Sequence, residues 1–324
     1  MIYDRYYYSR LSNVEKAAYR SVYHGLERYD GSIEITDPHI DIYKILDAVN
    51  FDNPHLFFVN FNKCKVTESS LTMEYVPSYH FSREQTARLW QSVNNSIKKI
   101  LPLVSCGSEY ENQLSVHDLF VKNISYDDRA KTDVKLCAYS STVLGVFLRK
   151  RALCEGIAKA VKLLLNAMDI KCIVAIGGMH SDNSVNHAWN IIKLNNIASH
   201  MDITNDLDLN MPGVVHHTYC NLTDNQLAKT HSKLYNYPHC QYSGYDYFVK
   251  NSLCVSDNAD LRRIIFRACS CGARYAEFRM NSHGFDENTV MRTVMQILLE
   301  YMRARSINLT SCINREQGVL FVQW

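Results

Sequence analysis

The chain has 324 residues, 47% of them apolar and 21% charged, with only 12 Gly and 6 Pro, which excludes a disordered or collagen-like polymer and leaves length for roughly two domains. Thirty-five basic and 33 acidic residues give a formal net charge of +2, so the bulk field offers no reason to expect a nucleic acid or an anionic membrane as partner. Eleven scattered cysteines, an odd number without CxxC spacing, read as reduced and mostly buried thiols rather than as a disulfide framework.

In chain order, residues 9–29 have the apolar spacing of an amphipathic helix, with Ser12 as its cap and Glu15 at capping-box distance. Asp30-Gly31 then turns the chain. Strands are expected at Ile33–Ile35, Leu56–Val59 and Leu71–Val76, with a short helix near Ile42–Val49 between the first two. Helical periodicity covers Ser82–Leu101, breaks at Pro102–Ser108 and resumes over Leu114–Lys122. The middle third reads as a helix feeding a meander: helix 154–168, strand 171–177, loop 178–186, strand 187–194, a turn, and strand 197–204. After Pro212 come strands at Tyr245–Val249, Arg274–Met280 and Val319–Trp324, an additional one near Asn308–Ile313, and helices at Asn258–Ser270 and Glu287–Arg305. That order suggests a small α+β unit of the split βαβ kind. The expected organisation is α+β throughout: an N-terminal α/β region over 1–105, a central core over 106–212 and a C-terminal α+β domain over 213–324. No run of 18 apolar residues and no secretory h-region is visible, so a reducing cytoplasmic location is expected.

One cysteine differs from the other ten. Cys154 opens a helical stripe formed by Ile157, Val161, Leu164, Leu165 and Met168, and a cysteine there meets free backbone N–H groups and the positive end of the helix dipole, which favour thiolate. Gly156 is expected to keep that first turn open for close approach by a substrate. If the following hairpin turns at Asn195-Asn196, His187 faces Thr204 and Asp202 lies one diagonal step away on the same face, within reach of the imidazole. A one-residue slip would put the two on opposite faces.

Cys154-Glu155-Gly156-Ile157-Ala158, Ile176-Gly177-Gly178, Asn186-His187-Ala188-Trp189-Asn190 and Met201-Asp202-Ile203-Thr204, with intervals of 33 and 15 residues between Cys154, His187 and Asp202, together resemble the core of the transglutaminase-like superfamily in its bacterial form, a papain-like cysteine enzyme fold. The resemblance covers about 114–204. The flanking Asn53-Pro54-His55-Leu56-Phe57-Phe58, Leu222-Thr223-Asp224 and the α+β tail are similar to bacterial proteins with the same central domain. It implies that Cys154 attacks a protein or peptide amide, that His187 moves the proton and Asp202 orients His187, and that the thioester goes to water or to an amine. It implies no cofactor. The oxyanion contact would come from the backbone N–H of Cys154 with Tyr139 as side-chain donor, Glu155 and Gly156 lie beside it, and Trp189 packs under the site. Two features depart from the family: Ile197-Ala198-Ser199-His200 replaces an aromatic pair, and Asn205 to Asn210 replaces an aromatic-acidic stretch.

Asp206-x-Asp208-x-Asn210 imitates a calcium loop, but Met211 and His217 stand where Gly and Glu are required, so a solvated acidic loop is expected. His216, His217, Cys220, His231, His239 and Cys240 fit no zinc-ligand spacing, and no metal is assigned. The rival to an enzyme is a binding module that keeps the fold with little turnover. In either case the terminal regions are the places to select a substrate or a partner protein.

Overall fold

The computed structural model describes residues 5–69, 71–105, 107–207, 214–281, 286–303 and 306–324, without the side chains of 182–186. Helix starts follow local sequence closely. After α1 (Tyr6–Arg10), Ser12, Ser82 and Ser108 each accept the backbone N–H three residues on, while Glu15, Gln85 and Glu111 return a bond to the cap's own N–H. These boxes open α2 (Asn13–Glu27), and, after β1 (Ile33–Ile35), α3 (Ile42–Asp52), β2 (Lys65–Glu68) and β3 (Met73–Val76), the helices α4 (Arg83–Val104) and α5 (Glu109–Asn123). The expected strand at Leu56–Val59 is absent: its rings stack sideways, Phe57 on Trp90 and Phe58 on Tyr29, and only Val59 makes a bridge, to Tyr79. Helix α4 also runs through Pro102, where a break was expected.

The centre is built on β4 (Ser125–Tyr126), α6 (Val134–Ser140), β5 (Arg151–Ala152), α7 (Cys154–Ala167), β6 (Lys171–Met179), β7 (Asp182–Leu194), β8 (Ile197–Met201) and α8 (Ile203–Leu207). Then follow β9 (Cys220–Leu222), α9 (Asp224–Leu227) and β10 (His231–Lys233). Strands β10-β6-β7-β8-β9 form one antiparallel sheet, and α7 packs across β6 and β7. Asn195 and Asn196 both have positive φ, the signature of a two-residue hairpin turn, and pair Asn190 with Met201. Where a loop was expected at 178–186, β6 continues to Met179 and β7 begins at Asp182; where a strand was expected to continue to Thr204, the chain turns into α8.

Helix α7 is buried on nearly every side rather than along one apolar stripe. Lys159 and Lys162 are both buried, the first tied to Asn50 of α3 and the second to the Cys172 carbonyl, because the N-terminal region covers the face that the sheet does not. The apolar core accordingly runs without a break from Tyr7 to Cys240.

After α10 (Tyr247–Lys250), a second core spans Val255 to Val322, in β11 (Cys254–Val255), α11 (Asn258–Ser270), β12 (Tyr275–Met280), α12 (Glu287–Met302), β13 (Thr310–Asn314) and β14 (Val319–Gln323). Two expectations fail here. The sheet order is β11-β12-β14-β13, with β11 directly beside and parallel to β12, so no strand splits the βαβ unit. Tyr245–Val249 is not a strand, because Asp246 caps the backbone N–H groups of Phe248 and Val249 and starts α10.

This tail is joined to the centre by buried charge. His117 of α5 bonds Asp118 and Asp206, His217 bonds Asp118, and Glu277 of β12 accepts from His216 and from the backbone N–H of His217. Burial opposes charge on His117, but the two carboxylates outweigh it and push its pKa up to about 9. A pKa raised from an ordinary 6.5 contributes stability in full below that value and loses it as pH rises through about 9. The stability advantage of wild type over His117→Asn, read from denaturant midpoints, should therefore be largest near pH 6 and shrink as pH rises through about 9. A difference independent of pH would mean a neutral imidazole.

Candidate active site

Three elements bring Cys154 to a cleft. The two-residue parallel pairing of β4 with β5 aligns Tyr126 with Ala152, the backbone N–H of Leu153 bonds the Ser140 carbonyl at 2.7 Å, and Cys154 is the first residue of α7. The Tyr126 hydroxyl hydrogen-bonds the Cys154 sulfur and accepts its backbone N–H; burial, then the neighbouring Cys154, raise the phenol's pKa. Asn190 holds the helix in place from below, donating to the carbonyls of Ala158 on α7 and Ile173 on β6.

His187, on β7, comes from the opposite wall. Its Nε2 lies 2.7 Å from Asp202 Oδ2, just past the end of β8, which leaves Nδ1 for the hydrogen bond with Cys154. Burial disfavours the imidazolium, but the charge of Asp202, its hydrogen bond and then the bond to Cys154 prevail and raise the His187 pKa to about 10. Asp202 is 1% exposed, and although burial works against its charge, His187 and His231 hold its pKa well below the usual carboxylate range.

His231 carries no local sequence signal. It enters from β10, the far edge of the sheet, and places Nε2 3.0 Å from the same Asp202 oxygen while its Nδ1 meets Thr230 Oγ1 at 2.8 Å. Gly177 makes this possible: a Cβ there would lie 1.9 Å from the Ser232 carbonyl oxygen and 3.0 Å from Trp189. Only a residue without a side chain lets β10 approach β6 so closely.

The other expected residues fall in different places. Trp189 is buried beside His187, with its indole N–H donating to His200 Nδ1 at 3.1 Å; His200 in turn bonds Asp224 through Nε2. His200 is thus the polar link under the site. Glu155 turns from the thiol to Asn50 at 3.0 Å and Lys159 at 2.6 Å. Gly156 faces protein rather than substrate: a Cβ would stand 2.3 Å from the Ser140 carbonyl oxygen, so the glycine serves the packing of α7 under α6. Tyr139 packs edge-on to Phe81 under the Arg149 guanidinium, and the hydroxyl beside Cys154 belongs to Tyr126. Asp206 is buried in α8, bonded to His117 and to the backbone N–H of Tyr219, so it is not part of a solvated loop; Asp208 to Gly213 lie outside the described residues.

Among the described residues, three sets have donor atoms close enough to share a metal ion: His117, Asp118 and His217; His187, Asp202 and His231; and His200, Asp224 and Cys240. Of the conceivable zinc set, His217, His231 and Cys240 fall one in each and His216, Cys220 and His239 in none, so the set does not converge. In the last set, the Lys233 ammonium lies 2.8 Å from Asp224 and opposes a cation there.

The cleft at Cys154 has a volume of about 1270 Å³ and extends from α3 past Tyr126 and His187 to α8. No family model matches the chain, and no curated protein matches it. Among solved structures, one described as a TGase shares 14% identity over 48% of this chain and 46% of its own, with a TM-score of 0.33. A second, named as a "putative protease" from Parabacteroides distasonis, shares 14% identity over 43% and 35%, with a TM-score of 0.27. The chain spans less than half the length of either, and overlaps this loose carry no functional argument. No helix among the described residues is long and apolar enough to cross a membrane.

Gly177→Ala should displace β10 and lower the thermal midpoint by the equivalent of about 1–3 kcal/mol, the usual cost of forcing extra volume into packed structure. Gly31→Ala, with nothing within 4 Å of the added carbon, is the control and should leave the midpoint nearly unchanged.

Proposed function

We propose that the protein is a transglutaminase-like cysteine enzyme with a papain-like core, acting on an amide of a protein or peptide. The observation that carries this reading is the hydrogen-bonded chain from Cys154 through His187 to the buried Asp202, opening on a cleft of about 1270 Å³. In this mechanism the Cys154 sulfur, its proton already passed to His187, attacks the amide carbonyl; collapse of the tetrahedral intermediate expels the amine, which takes that proton from His187 and leaves a thioester. Water then gives the acid, or a second amine gives a new amide, and the thiol is restored. Asp202 keeps Nδ1 of His187 aimed at the sulfur.

The oxyanion contacts in this proposal are the Cys154 backbone N–H and the Tyr126 hydroxyl. The hydroxyl accepts that N–H in the free protein and would turn to donate beside it once a substrate oxygen arrives. The segments 1–105 and 213–324 would then frame the core 106–212, with the first contributing α3 to the cleft wall.

Burial pushes the Cys64, Cys220, Cys240, Cys254 and Cys269 thiols upward, and Cys271 is exposed. Cys154 should therefore be alkylated by dilute iodoacetamide near neutral pH faster than Cys271, and His187→Ala should slow it at least tenfold. Equal labelling of several thiols removes the enzyme reading. Incubation with a glutamine-containing protein and a labelled primary amine, followed by mass spectrometry, separates cross-linking, deamidation and proteolysis. If wild type and Cys154→Ala yield no product yet capture the same protein, the chain is a binding module. Where a product forms, Tyr126→Phe should slow acylation by about 10²-fold, the effect of losing one oxyanion donor, and Tyr139→Phe should not.

A further inference from the structure

Among the described residues the cleft carries four carboxylates, and three already have a cationic or imidazole partner. Asp128 holds the Lys131 ammonium at 2.9 Å, Asp206 meets His117 at 3.0 Å, and Glu155 holds Lys159 at 2.6 Å. The fourth is Asp47, on α3. Its one hydrogen-bond partner among the described residues is the Tyr235 hydroxyl, at 2.8 Å, and it makes no ion pair there. Burial, assisted by the charges of Glu155 and Asp41, outweighs the Tyr235 bond and the weaker pull of the Lys159 charge and pushes its pKa up, as expected for a carboxylate withdrawn from water without an ion-pair partner.

The surroundings of Asp47 suit one kind of visitor. Tyr43 and Leu234, 66% and 48% exposed, stand on the same cleft wall with Leu46 and Phe61, so an aliphatic stem could lie along them and bring a positive end to the carboxylate. The endogenous cation nearest to this role, Lys159, is buried and already bonded to both Glu155 and Asn50. We propose that Asp47 is the specificity-determining residue of the cleft, binding the ammonium or guanidinium of a basic side chain on the polypeptide whose amide reaches Cys154. This deepens the proposed function and rests on Cys154 as the nucleophile of the same cleft.

The test uses the intact chain and three methanethiosulfonates: cationic MTSET, anionic MTSES and neutral MMTS. Modification of Cys154 is followed by peptide mass spectrometry, with exposed Cys271 as the reference for the intrinsic reactivity of each reagent. Each charged rate is divided by the MMTS rate of the same variant, so changes in thiol reactivity cancel. The MTSET to MTSES ratio at Cys154 should fall about tenfold in Asp47→Asn, the scale of removing one charge from the wall of a half-wet cleft, and Asp47→Glu should retain it. In parallel, lysine-containing peptides should protect wild-type Cys154 from iodoacetamide better than glutamate-containing peptides of equal length, and Asp47→Asn should lose that preference. A ratio and a preference both unchanged in Asp47→Asn overturn the proposal while leaving the enzyme reading intact. Failure of Cys154 to react faster than Cys271 with iodoacetamide counts instead against the enzyme reading.

Discussion

Asp202 is a carboxylate with almost no water, and the centre of the molecule is arranged to keep it charged. An unpaired buried carboxylate would be protonated or would destabilise the fold. Here two imidazoles share one of its oxygens, His187 from β7 and His231 from β10, and its own position follows the end of β8. Three strands of one sheet must therefore be in register at once. The Asn195-Asn196 turn sets β7 against β8, Gly177 admits β10 to β6, and Asn190 ties α7, with Cys154 at its tip, to the strand beneath.

The same device recurs twice nearby. His200 accepts from Trp189 and meets Asp224, while His117 and His217 meet Asp118, Asp206 and Glu277 at the junction with the tail. Such pairs contribute little as isolated surface contacts, but where a member is buried they penalise misplacement, because removing one partner strands the other's charge. The long cleft thus lies between walls that are held by directional bonds as well as by apolar packing, and α3 of the N-terminal region is one of those walls.

Where the sequence reading missed, a specific contact overrode the composition of the segment. Leu56–Val59 has strand composition, yet its rings find Trp90 and Tyr29; Tyr245–Val249 looks like a strand, yet Asp246 caps a helix turn. Gly156 has the same local appearance whether a substrate or the Ser140 carbonyl approaches it. Tyr126 and Tyr139 are both tyrosines upstream of Cys154, and only the β4–β5 pairing decides which one reaches the sulfur.

Local chemistry was enough to mark the start of α2 through its Ser12–Glu15 capping box and the hairpin through its paired asparagines, and it put Cys154 at a helix start with His187 and Asp202 on one face of that hairpin. Those signals act over a few residues, or across one hairpin, so a linear reading contains them. The second imidazole on Asp202, the phenol on Cys154 and the cleft carboxylate Asp47 were decided by tertiary structure alone. Each depends on strands or helices far apart in the chain meeting at hydrogen-bond distance or on one cleft wall, and no spacing in the sequence encodes that meeting.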